Sequence, residues 1–112
     1  LDRSSAASDV YKRQMLHDVE TGATDAALMW GPIAGPLAKD NPKLKVIPLL
    51  RETTTPRLFF RITMGVRPGE DVWKRELNSM IRRNQGEIDA ILRDAGVPLV
   101  DDYGKQLKPV AP

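Results

Sequence analysis

The sequence predicts an α/β fold, and three observations carry that expectation. Short apolar runs alternate with helical patterns, in the order helix, strand, helix, strand, strand, helix, helix. The first run, Ala23 to Trp30, lacks clean polar alternation, as strands covered on both faces do. Between Trp73 and Ile81, Trp73, Leu77, Met80 and Ile81 recur at helical spacing, with Arg75, Glu76, Arg82 and Arg83 pointing elsewhere.

At 112 residues the chain is one domain at most. It is 41% hydrophobic and 29% charged, ordinary for a globular protein. The net charge is +2, and basic and acidic residues are interspersed. No basic stripe of the kind nucleic acid requires is present, and Arg82-Arg83 suits a solvated helix face. With no cysteine, disulfides, cysteine-ligated zinc and thiol catalysis are excluded. No apolar run approaches the roughly 18–20 residues of a membrane span.

In chain order, residues 1–14 are out of character. Ser4 to Gln14 shows no helical or strand period and looks like a translated adapter or vector segment, so residues 1–14 are set aside as a non-native leader. Met15 to Thr21 is the tail of a helix, with Leu16 and Val19 on one face and Gly22 as its left-handed terminator. Ala23 to Trp30 is a buried strand. Gly31-Pro32 opens a helix, since proline is tolerated in a first turn. Ile33, Leu37 and Ala38 form its buried stripe, Gly35-Pro36 keeps it short or irregular, and Asp40-Asn41-Pro42 ends it.

Leu44 to Leu50 is the second strand, placed at an edge or a strand end by Pro48. Leu58 to Val66, rich in aromatic and β-branched residues, is the third. Glu70-Asp71 puts two carboxylates at the start of the next helix, where they suit its dipole. That helix ends near Gln85-Gly86. A shorter one, Glu87 to Ala95, places Ile88, Ile91 and Leu92 on one face and is closed by Gly96 and Pro98. From Asp101 onward the polar, proline-containing chain is expected to be loosely held, with 108–112 a flexible tail.

Three pieces of this pattern resemble the C-terminal part of a type II periplasmic solute-binding protein. In Gly22 to Trp30, Asp25-Ala26 opens a short strand that ends at a helix start. Met64-Gly65-Val66-Arg67-Pro68-Gly69 is similar to the segment returning from the second lobe to the first. Gly86-Glu87-Ile88 with Ile91-Leu92 is similar to the start of the last family helix. Asp25 to Gly35, above all Trp30-Gly31-Pro32-Ile33-Ala34-Gly35, with Val97-Pro98-Leu99, narrows the resemblance. These residues are similar to the solute-binding homologues that accompany pyrroloquinoline-quinone (PQQ) methanol dehydrogenases, the MxaJ and XoxJ type.

The resemblance spans Met15 to Leu107, so 15–107 would be a partial solute-binding domain: part of lobe two plus the return to lobe one. It implies that about 150 preceding residues are missing, on the usual size of such folds. A signal peptide directing the protein to the periplasm would be among them. It further implies a non-catalytic accessory or maturation factor of a PQQ-dependent methanol or alcohol dehydrogenase, itself holding no cofactor. Its partner would be that dehydrogenase or a small-molecule ligand held in an interlobe cleft. A substrate-binding component of an ABC importer for an unidentified solute is the alternative. The effector domain of a transcription regulator and an enzyme are weaker ones.

The candidate cleft residues are Trp30, Gly31, Pro32, Arg57 and Arg61. Trp30 is either a hydrophobic plug or a flat face for a ligand or partner. Gly31 permits close backbone approach beside it. Amino-acid-binding relatives carry an aspartate where Trp30 stands, so a free amino acid, whose ammonium needs a counter-charge, is not the expected ligand. Arg57 and Arg61, four apart in the third strand, share a face. They would pair with acidic groups of the missing lobe or meet an anion. His17 reads as a surface residue, Asp101-Asp102 as a water-facing pair rather than a metal site, and Thr53 to Thr55 as turn chemistry.

Overall fold

The computed structural model describes residues 3–51 and 58–107. They form α1 (Arg3–Thr21), α2 (Gly31–Ala38), α3 (Asp71–Arg83) and α4 (Gln85–Asp94). The chain divides into two compact units, one made of 1–48 and 95–98, the other of 49–94 and 99–112.

The expected α/β architecture, periplasmic-binding-protein-like type II, is not what forms. Among the described residues no strand ladder exists, and the isolated bridge is the antiparallel contact of Val100 with Gln106. The expected strands at 23–30, 44–50 and 58–66 are not strands in the structure. The physical reason is the difference between a helix and a strand. A helix closes its hydrogen bonds within its own segment, whereas a strand exists only where a neighbour supplies them. An apolar run records that a segment is to be covered. It does not supply the partner.

In the first unit, α1 extends far beyond the expected helix tail and includes the run 4–14. That run has no apolar period, but Ser4 to Gln14 contains neither glycine nor proline, so nothing in it breaks a helix. Its C-terminus follows the sequence reading. Gly22 takes a φ of 78°, its N–H donates to the Val19 carbonyl at 3.2 Å, and the Thr24 N–H donates to the Asp18 carbonyl at 3.1 Å. The Thr21 hydroxyl donates to the His17 carbonyl at 2.9 Å.

α2 is short, as its glycines and prolines led one to expect, and Ala38 of its expected stripe is buried, but the rest of the buried face is another one. Ala34, Gly35 and Ala38 are buried, while Ile33 is half-buried and Leu37 exposed. Gly31, Ala34, Gly35 and Ala38 stand at i, i+3, i+4 and i+7, one helical stripe of small residues. That stripe meets the turn 95–98 backbone to backbone. A Cβ on Gly35 would overlap the Gly96 carbonyl, and one on Gly31 would lie 2.8 Å from Cγ of Pro98. Gly96 itself has a φ of 84°, the left-handed terminator expected after α4.

In the second unit, α3 and α4 meet at Asn84. Its side-chain amide donates to the Met80 carbonyl at 2.8 Å and ends α3, while its carbonyl accepts the Ile88 N–H at 2.9 Å and begins α4. Neither helix buries a residue. Trp73, which its place on a helical stripe marks as core, is 46% exposed and Met80 44%, whereas Leu77 and Ile81 on the same stripe are half-buried.

The segment after Leu99, expected to be loose, is a closed loop. The Asp101 and Leu107 amides donate to the carbonyls of Lys105 and Leu99 at 2.8 and 3.0 Å. One Asp101 carboxylate oxygen accepts the amides of Tyr103 at 2.9 Å and Lys105 at 2.8 Å. Asp101 is therefore the loop's internal acceptor, the turn chemistry of an Asx motif. Gly104, buried with a φ of 74°, lies under the Phe59 ring. Asp101→Ala removes both acceptances and is expected to loosen the loop by roughly 1–2 kcal/mol. Faster hydrogen exchange at the Tyr103 and Lys105 amides would register it, and unchanged protection would contradict it. The residues 108–112 of the expected tail lie outside the described part.

Ala34 and Ala38 are the buried hydrophobic residues among those described, whereas Leu28, Ile47, Phe60, Ile62, Met64, Val72 and Ile91 are all exposed. No helix among the described residues is long and apolar enough to cross a membrane. So small a core is expected to give gradual denaturant unfolding with strong binding of an apolar fluorescent dye before it. A sharp single transition without dye binding would contradict that expectation.

Candidate functional site

The turn Trp30-Gly31-Pro32 is built by the start of α2. Trp30 is its N-cap, with an extended backbone (φ −64°, ψ 123°) and no side-chain cap. The Trp30 carbonyl accepts the Ile33 amide at 3.0 Å and the Ala34 amide at 2.9 Å. Pro32 has no amide to offer. The helix start thus presents little of the amide array that anion binding at an N-terminus uses.

Gly31 does permit a close approach, as its lack of a Cβ suggests. What approaches is this chain's own Pro98. The structure therefore brings together Trp30-Gly31-Pro32 and Val97-Pro98, far apart in sequence. Trp30 remains 42% exposed, so part of its ring faces outward.

In the other unit, Arg61 forms an ion pair with Asp102 at 2.8 Å, both side chains largely exposed. The partner of this cation lies in the same chain, within the loop that Asp101 closes. Arg57 and the threonines Thr53 to Thr55 lie outside the described residues. The turn at Pro68-Gly69 is held by an ion pair of Arg67 with Glu70 at 2.6 Å, and Gly69 has a φ of 86°.

Two hollows lie elsewhere. In the first unit an open trough of about 500 Å³ runs between α1 and α2, lined by Arg13, His17, Glu20, Leu37, Asn41 and Leu44. In the second, a hollow of about 350 Å³ lies between the segment 62–66 and α3, lined among others by Ile62, Met64, Lys74, Leu77 and Ile81. Trp30, Gly31, Pro32 and Arg61 line neither. His17 is exposed, and among the described residues no cluster of histidines and carboxylates could hold a metal ion.

Sequence reasoning passed over the packing role of Gly35 and the acceptor role of Asp101. The first had a signal: small residues at Gly31, Ala34, Gly35 and Ala38 recur at helical spacing. The second had only the short polar run Asp-Asp-Tyr-Gly, which fits many turns.

Comparison with known proteins gives one distant likeness. Protein MoxJ of Methylorubrum extorquens is 28% identical over 94 residues, covering 78% of this chain and 31% of MoxJ. No protein-family profile matches the chain. No solved structure matches it either. The chain is thus related to MoxJ at a distance, and it spans about a third of the length of that curated relative.

Proposed function

We propose that this chain belongs to a non-catalytic periplasmic protein that serves a PQQ-dependent methanol or alcohol dehydrogenase as an accessory or maturation factor. The observation that carries this reading is the likeness to MoxJ along most of the chain. It agrees with the resemblance of Trp30-Gly31-Pro32-Ile33-Ala34-Gly35 to proteins that accompany such dehydrogenases. Trp30, Gly31, Pro32, Arg57 and Arg61 remain the residues proposed to meet the partner or a small ligand. A binding role also suits the partly exposed Trp30 ring, because an aromatic face with a polar edge is a common anchor at interfaces.

The test is direct binding. A purified PQQ methanol dehydrogenase immobilised on a sensor is expected to bind the chain saturably, and an unrelated immobilised protein is not. Absence of binding at tens of micromolar chain would overturn the proposal. A small solute that raised the melting temperature of the chain, with no dehydrogenase binding, would favour a solute receptor instead.

A further inference from the structure

We draw no further inference here: the strongest candidate, the exposed apolar residues Leu58, Ile62 and Met64 of the segment 58–66, carries nothing, because nothing in the structure shows what covers them.

Discussion

Gly35→Ala is expected to destabilise the unit that contains α2 by roughly 3 kcal/mol, the upper range for forcing an extra carbon into a filled contact. Two effects of opposite sign compete. Alanine in a helix is favoured over glycine by up to about 1 kcal/mol. Against that, the new Cβ would overlap the carbonyl of Gly96, and Pro98 Cδ would lie 3.2 Å away. A flexible side chain could swing aside, but a backbone carbonyl on a left-handed glycine and a proline ring cannot. The clash therefore outweighs the propensity gain.

Gly86→Ala in α4 is the internal control. Nothing lies within 4 Å of the position its Cβ would take. It is expected to be neutral or to stabilise by about 0.5 kcal/mol, through the propensity and unfolded-chain effects alone. The midpoints of denaturation curves followed by far-ultraviolet circular dichroism rank the two variants, because gradual unfolding yields no two-state free energy. Hydrogen exchange at the α2 amides localises the loss. If Gly35→Ala proved as stable as the parent, the backbone contact between α2 and the turn 95–98 would not exist in solution.

Trp30→Ala is expected to weaken binding to the dehydrogenase by about 2 kcal/mol, roughly 30-fold in Kd, as truncation of an aromatic anchor commonly does. The structural cost should be smaller than at Gly35. Trp30 holds α2 through its main-chain carbonyl, which alanine retains, and its side chain makes no cap hydrogen bond. The circular dichroism spectrum should stay that of the parent while the binding isotherm shifts. Trp30→Phe should recover part of the affinity, because the flat face returns without the N–H. An unchanged Kd for Trp30→Ala would remove this residue from the interface. A lost helix signal together with lost binding would mark Trp30 as a structural plug.

The elements that could be read from the sequence are those whose signals are local. Gly22 and Gly96 were legible as helix terminators because a positive φ is a property of one residue. The period of α3 was legible because its residues are neighbours on one helix. The burial of that period was not: Trp73 lies on the expected stripe yet is exposed, whereas Leu77 and Ile81 beside it are half-buried. The face of α2 was misjudged for a related reason. Large apolar residues, Ile33 and Leu37, are the usual markers of a core, but here contact is made where side chains are smallest and two backbones meet.

The candidate site divides in the same way. That Gly31 admits a close neighbour follows from its missing Cβ. That the neighbour is Pro98 does not, because residues 31 and 98 share no local pattern. Arg61 was expected to pair with acidic groups of the missing lobe or to meet an anion, whereas in the structure it pairs with Asp102 of its own chain.

The sequence by itself determined α2, α3 and α4, the terminators Gly22 and Gly96, the absence of cysteine chemistry and the lack of a basic footprint, since each depends on residue type and short spacing. It also contained the likeness to MoxJ. Only the tertiary structure decided which face of α2 is buried, that the Asp101 carboxylate closes its own loop, and that the apolar runs among the described residues form no strand ladder. The physical reason is range. Helix bonds close within four residues of one segment, whereas sheet bonds and core contacts need a second segment whose position no local pattern encodes.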